Sequence, residues 1–311
     1  MADAPGAVRA RVFVVLNPQS GSGMAGEVRQ ALAQHFTDGE EACHLHELTD
    51  GEDVVEVVRR AISQGAELIV AGGGDGTVSA VADAVVGTSV PLGIIPLGTA
   101  NVLARELGIP VDLEGAFRLL AGPHAAVAID AMRVGDRVYL TQVGVGLDAL
   151  MIRDTGREQK RRFGRLAYLR TVLSHLIGFQ PARFSIAVDD RHIRQGASQV
   201  VIANCGLLGQ PPFRWGPNIR PDDGRLDVCI VRARTLLHYL VLGWHVLWGQ
   251  HRRSPSVRYL TAERAVALSA DRTLPVQADG EIIGQTPLQV HLVPGALRII
   301  VPLVEAAGAG P

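Results

Sequence analysis

At 311 residues the chain is long enough for two cores of ordinary size, because a single core stops growing at about 250 to 300 residues. Hydrophobic residues make up 47% and charged residues 20%, with a formal net charge of −1; this describes a packed globular protein and excludes a global field for nucleic acid. Cys43, Cys205 and Cys229 lie far apart on strand-like segments without CxxC or metal-finger spacing, so they read as reduced core thiols of a cytoplasmic protein.

The chain opens on an apolar run, RVFVVLN, that is too short for a secretion signal and ends at Asn17-Pro18. From there strand and helix patterns alternate: EVRQALAQHF, CHLHELT, VVEVVRRAIS, ELIVAG, VSAVADAVV, PLGIIPLGT and NVLARELG. Continuous apolar strands alternating with amphipathic helices specify a parallel sheet covered on both faces. The alternation stops near residue 125. The runs VAIDAMRV, RVYLTQVGVG, RFSIAVDD, QVVIANCG, RLDVCIV, AVALSA, LQVHLV and ALRIIVP then predict a mostly antiparallel β-sandwich. Helical tracts at 163–178 and 235–250 interrupt it. The division is therefore an α/β domain over 1–130 and a sandwich domain over 131–311, with the last residues free to return to the first domain.

The chemistry sits in the turns. NPQSGSGMAG contains Gly21, Gly23 and Gly26 in GxGxxG spacing, followed by the acidic Glu47 and Asp50. This dinucleotide reading is discounted because Asn17-Pro18 delays the turn and a Rossmann site needs no second glycine loop on a neighbouring strand. A Walker A motif is excluded, since no GK[ST] occurs. The second loop, Gly72-Gly73-Gly74-Asp75-Gly76-Thr77, is more specific. Glycine runs lose backbone entropy and are kept for close approach, and Thr77 is placed to cap a helix whose N–H groups meet phosphate oxygens. Asp75 is then understood if Mg²⁺ or a substrate hydroxyl lies between it and the phosphates. A third loop, PLGTANVLAREL, repeats the device with Gly98 at the turn and Thr99 at a helix start; taken alone it is equally a capped helix with no ligand. Parallel strands share their C-terminal edge, so all three loops fall where ligands bind in such sheets.

Asn17-Pro18-Gln19-Ser20-Gly21, Gly73-Gly74-Asp75-Gly76-Thr77 and Pro96-Leu97-Gly98-Thr99-Ala100-Asn101, followed by GVGLDA at 144–149, RFGRLAY at 162–168, PDDGRLDV at 221–228 and QADGE at 277–281, resemble the diacylglycerol kinase-like lipid kinases, a family that includes sphingosine kinases. The likeness covers nearly the whole chain. It implies a first domain similar to those of phosphofructokinases and NAD kinases, with ATP against Asn17, Pro18, Gln19, Ser20 and Gly21, against Thr49, against Gly73, Gly74, Asp75, Gly76, Thr77, Val78 and Ser79, and against Thr99. The family also implies a structural Mg²⁺ held by Asp223 and the backbone carbonyls of Arg220 and Arg225. Read locally, Asp222, Asp223 and Asp227 are suitable hard ligands, yet Pro-Asp-Asp-Gly is also a good hairpin turn. One departure is that SGSGMAGEVRQ offers only Arg29 where soluble bacterial relatives carry several basic residues.

Two segments bear on membranes. Arg157, Lys160, Arg161, Arg162, Arg165 and Arg170 lie beside apolar residues, which suits an anionic surface or a solvated turn before a core helix. The tract LLHYLVLGWHVLWG at 236–249 is too short to cross a bilayer; it is expected to pack as core, with part of a lipid entrance as the alternative, Trp244 and Trp248 one turn apart and His238, His245 and His251 structural.

The resulting expectation is an ATP- and Mg²⁺-dependent lipid kinase acting on diacylglycerol, a sphingoid base or a related lipid at a membrane surface, without nucleic acid and with a homodimer left open. An NAD kinase-like phosphotransferase and a catalytically silent, membrane-docking nucleotide module are the alternatives. Asp279 and Glu281 flank Gly280, so strand alternation would turn both toward one hydroxyl; with the resemblance, Glu281 or Asp279 is the expected base, alongside Asp75.

Overall fold

The computed structural model describes residues 11–21, 23–36, 43–154, 180–216, 218–250 and 254–303. Two compact units emerge, Met1–Ala128 with Leu297–Pro311 and Ile129–Ala296. The basic segment 157–170 and the tract 163–178 lie outside the described residues, as does His251.

The first unit is a parallel sheet with helices. Strands β1 (Val12–Leu16), β2 (Cys43–Glu47), β3 (Leu68–Gly73) and β4 (Leu92–Pro96) stand in the order β2-β1-β3-β4, with Val14 beside Leu45 and Val70, and Ala71 beside Ile94. Every residue of β3 and β4 is buried, which is why these strands read as unbroken apolar runs. Helices α1 (Ala25–His35), α2 (Val54–Ser63), α3 (Asp75–Val85), α4 (Val102–Glu106) and α5 (Leu113–Ala121) follow or link the strands. Asp53 caps α2 by accepting from the N–H groups of Val55 and Glu56, and Asp112 caps α5 by accepting from Gly115, each replacing a partner that a first helical turn lacks.

The second unit is an antiparallel sandwich. One sheet runs β12-β11-β10-β7-β14-β15, built from β7 (Gln142–Gly146), β10 (Gln199–Ala203), β11 (Leu226–Val231), β12 (Val257–Ala262), β14 (Pro275–Ala278) and β15 (Glu281–Gln285). The other contains β8 (Ala182–Val188), β9 (Arg191–Ala197) and β13 (Ala265–Ala270) beside β16 (Leu288–Val301), which in turn pairs with β5 (Ala125–Val134); β6 (Arg137–Tyr139) pairs with β5. Phe184, Ile186 and Val188 from one sheet and Val145, Ile202, Val228 and Val276 from the other share one core. The alternating burial of β8 is the period-two signature of a half-buried strand. Helix α6 (Leu147–Asp154) follows β7, and α7 (Leu236–Leu247) follows β11.

Several expectations need adjusting. LQVHLV and ALRIIVP are one strand, β16, carried through Pro294-Gly295. RVYLTQVGVG divides into β6 and β7. The fourth helix is shorter than its apolar pattern, and α5 is an additional one. Cys205 and Cys229 are buried thiols outside any disulfide, whereas Cys43 is only half-buried on β2. The tract at 236–249 is not core: no residue of α7 is buried. Among the described residues no helix is long and apolar enough to cross a membrane.

Candidate active site

In the first unit, the turns after β1, β3 and β4 leave the same edge of the sheet and are tied to one another. Asn17 holds the first turn: its side-chain Oδ1 accepts from Gln19 N–H at 3.0 Å, and its Nδ2 donates to Thr77 Oγ1 at 3.1 Å. Its backbone N–H donates to the Gly72 carbonyl at 2.9 Å. Gln19 reaches sideways and donates to Asp50 Oδ1. The second and third turns touch through glycines. A Cβ on Gly98 would stand 2.7 Å from Gly74 Cα, and one on Gly73 would stand 2.5 Å from the Thr77 side chain. Part of the glycine requirement is therefore met by protein packing, and the remainder is open to a ligand.

Asp75 is the first residue of α3, and its Oδ1 accepts from the Val102 N–H at the start of α4 at 2.6 Å. Its carboxylate thus fastens the second turn to the third. Asn101 closes the third turn from within: in left-handed backbone conformation (φ 48°), it accepts from Gly98 N–H at 2.9 Å and donates to Gly98 O at 2.8 Å. An asparagine tolerates that conformation and can imitate a backbone group. Two capping assignments are corrected here. Gly74, not Thr77, precedes α3, and Thr77 is buried inside the first turn as the acceptor for Asn17. Asn101, not Thr99, precedes α4, and Thr99 stays exposed in the turn. A helix that begins on glycine has no side chain to cap its first turn, the condition under which its N–H groups and dipole favour an external anion.

Val78 and Ser79 are buried in α3. Pro18, Ser20 and Gly21 complete the first turn, with Gly21 at φ 72° against Leu97, and Gly76 lies in the first turn of α3. Thr49, exposed after β2, donates through N–H and Oγ1 to Glu52. Arg29 is held by Glu47 in a two-point pair at 2.5 and 2.8 Å; the guanidinium holds the Glu47 carboxyl below its ordinary range.

In the second unit, Asp279 and Gly280 form the two-residue turn between β14 and β15, with Ala278 opposite Glu281. Both turn residues have positive φ, 46° and 87°, the conformation of a tight primed hairpin turn. The expected strand alternation therefore does not place Asp279 and Glu281 on one face. Asp279 is buried, and its carboxylate accepts four hydrogen bonds: from the N–H groups of Leu140 (2.8 Å), Thr141 (2.9 Å) and Gln142 (3.0 Å) and from Thr141 Oγ1 (2.5 Å). Glu281 opens β15 and is exposed.

Behind this hairpin lies a residue that motif spacing did not single out. Gln277, fully buried on β14, accepts from Gly280 N–H at 3.1 Å and donates through Nε2 to Asp148 Oδ2 at 3.1 Å. Asp148 lies in the first turn of α6, and its Oδ1 is buried without a well-formed hydrogen bond. Burial pushes its carboxyl up to about 6, against the pull of Gln277 and of the N–H groups of Asp148 and Ala149. A Cβ on Gly144 would stand 1.8 Å from Asp148 Oδ2. The glycine in GVGLDA makes room for the carboxylate, and that pairing was the available signal.

The PDDG segment is a turn with a clamp. Arg220 pairs with Asp222 at 2.8 and 2.9 Å, and Arg225 N–H donates to Asp223 Oδ1 at 3.1 Å. Asp130, buried on β5 and absent from the expected set, accepts from the N–H groups of Gly224 at 2.7 Å and Gly295 at 2.8 Å. Burial, and secondarily the negative charge of Asp130, raise the Asp223 carboxyl above its ordinary value. Two carboxylates in mutual repulsion at a turn rich in backbone carbonyls are compatible with a divalent cation. Among the described residues no group of three His, Cys, Asp or Glu side chains gathers for a metal, so a cation here would rely on Asp223, carbonyl oxygens and water.

Comparison with known proteins places nearly the whole chain against two adjacent family domains. Residues 11–134 match the diacylglycerol kinase catalytic domain, and residues 141–301 match the YegS C-terminal NAD kinase beta sandwich-like domain. A protein of Pseudomonas syringae pv. syringae described as "Probable lipid kinase YegS-like" is 30% identical over 89% of this chain and 89% of its own. A diacylglycerol kinase of Bacillus subtilis is 25% identical over 95% of this chain and 98% of its own. The crystal structure of a diacylglycerol kinase from Bacillus anthracis shares the fold with a TM-score of 0.77 at 22% identity, over 94% of this chain and 97% of that one.

Proposed function

Because the chain belongs to the diacylglycerol kinase-like lipid kinases and is a phosphotransferase of that kind, we propose that it transfers the γ-phosphoryl group of ATP, with Mg²⁺, to a hydroxyl of a lipid such as diacylglycerol or a sphingoid base. The observation that carries this reading is the set of three turns on one edge of the parallel sheet, fastened by the Asp75 bond to Val102 and by the approach of Gly74 to Gly98. The triphosphate is bound by Asn17–Gly21, Gly73–Ser79 and Thr99, with Thr49 beside them, and α3 directs its N-terminus to the phosphates. Mg²⁺, when bound, neutralises charge on the transferred group; Asp75 is the carboxylate suited to it, and Asp223 with the carbonyls of Arg220 and Arg225 is suited to a structural ion.

Glu281 takes or orients the proton of the lipid hydroxyl. Asp279 has its acceptor capacity committed to four donors and holds the hairpin that presents Glu281. The test is to incubate the full chain with radiolabelled ATP and separate panels of diacylglycerol, sphingosine and NAD, with and without a chelator, and to identify the product. Label in a lipid phosphate, lost on chelation, is expected. Label in NAD alone would replace the lipid acceptor with a nucleotide one, and no labelled product would overturn the proposal.

A further inference from the structure

Helix α7 has two apolar faces, and among the described residues only one has a partner. Tyr239 and Leu242 pack on the cluster formed by Val201, Cys229, Val231 and Val257. On the opposite side, Leu237, Leu240, Val241, Trp244, Leu247 and Trp248 are all exposed, with Leu237, Leu240, Trp244 and Trp248 each more than 60% accessible. At about 100° per residue these six fall within an arc of about 120°. This arc is continuous and lacks charge. The Trp244 and Trp248 rings meet at its C-terminal end, 5.5 Å between centroids.

The surrounding charge identifies the occupant. Among the described residues, Arg232, Arg234 and Arg258 flank α7 in sequence and are exposed, His238 and His245 lie on the helix, and from Val228 to Ala262 the chain has no aspartate or glutamate, although 31 of its 311 residues are acidic. An aliphatic face needs an apolar medium, an acid-free cationic flank needs an anionic one, and tryptophan prefers the boundary between the two. Twelve residues give a helix of about 18 Å, long enough to lie in an interface and too short to span a bilayer. A phospholipid surface with anionic headgroups meets all of these conditions.

We propose that α7 is an interfacial anchor whose outer face enters the acyl boundary of an anionic bilayer while the neighbouring arginines meet the headgroups. The biological sense of this anchor rests on the lipid kinase reading, but its measurement does not. The full chain is sedimented with vesicles of phosphatidylcholine and phosphatidylglycerol, and tryptophan emission is followed with brominated lipid as quencher. The parent should bind, with blue-shifted and quenched emission. The double variant Leu240→Glu and Trp244→Ser should lose at least about tenfold in vesicle affinity. Its thermal unfolding should be unchanged, since the altered side chains are exposed.

Phosphorylation of a short-chain lipid dispersed in detergent is measured alongside, so that loss of the anchor and absence of lipid kinase activity are read separately. A parent that does not bind the vesicles, or a variant that binds as tightly as the parent, overturns the anchor. A parent that is dimeric without lipid and becomes monomeric in the double variant overturns it in favour of a second copy on this face.

Discussion

A single substitution at Asp75 would confuse its observed bond to Val102 with the charge that the proposed phosphoryl transfer requires. Its Oδ1 accepts from Val102 N–H, so alanine would loosen the third turn as well as remove a charge. Asparagine keeps an acceptor and removes only the charge. Asp75→Asn should therefore unfold within about 0.5 kcal/mol of the parent and lose on the order of a hundredfold in kcat, as commonly follows loss of a charge-orienting group. Activity within about threefold of the parent would leave Asp75 a turn fastener only.

The carboxylates of the hairpin should separate in a similar way. Glu281→Gln should lower kcat by orders of magnitude without altering the melting temperature. Asp279→Asn would set an amide N–H₂ against a pocket of N–H and O–H donors and should destabilise the fold by about 1–3 kcal/mol, visible in denaturant unfolding. Equal stability of the Asp279→Asn variant and the parent would refute the bracing role.

Asp148 adds a dependence on pH. Its folded carboxyl, raised to about 6 by burial, titrates above the ordinary unfolded value near 3.9, so the neutral form favours the fold. That contribution is fully present below about pH 4 and lost as pH rises through about 6. Asp148→Asn should consequently match the parent near pH 4 and exceed it at pH 8, by at most on the order of 3 kcal/mol. The comparison of thermal unfolding at the two pH values is the measurement, and a pH-independent difference would refute it.

At the scale of elements, the turns were legible and the exposed faces were not. Glycine runs at the ends of apolar strands have few explanations, and three of them on parallel strands converge by topology alone. Gly98 gives this a test: Gly98→Ala, whose Cβ would lie 2.7 Å from both Gly74 Cα and Asn101 Oδ1, should cost about 1–3 kcal/mol of stability. Gly74→Ala, facing Gly98 Cα at an ordinary 3.4 Å, should cost less in the same denaturant titration. By contrast, α7 is apolar on two sides, and periodicity cannot tell a side covered by protein from one that is bare. Strand β9 was missed because its burial is mostly at its last residue, which leaves RHIRQGA without an apolar alternation. Asp279-Gly280 carried a plain hairpin signal that competed with the alternation rule, and the turn prevailed because both residues adopt positive φ.

At the scale of the molecule, the two classes of core followed from strand composition: unbroken apolar strands for the parallel sheet, alternating ones such as β8 for the sandwich. What sequence could not supply was any bond between distant residues. The Asp130 clamp on Gly224 and Gly295 joins positions 94 and 165 residues apart, and the contact of Gln277 with Asp148 spans 129. No local pattern encodes such pairs.

Strand β16 has a consequence for the order in which the protein is made. The chain leaves the first unit after Ala128 and returns at Leu297, where Ile299 stands beside Leu92 of β4 in the parallel sheet and is fully buried. During synthesis, β4 emerges with one edge bare and keeps it so until the whole second unit has followed. At about 5–20 residues per second that interval is roughly 10 to 40 seconds. A nascent chain therefore displays an apolar, unpaired strand edge for far longer than a parallel sheet closed within its own segment would, and a truncation after Ala296 would make that exposure permanent.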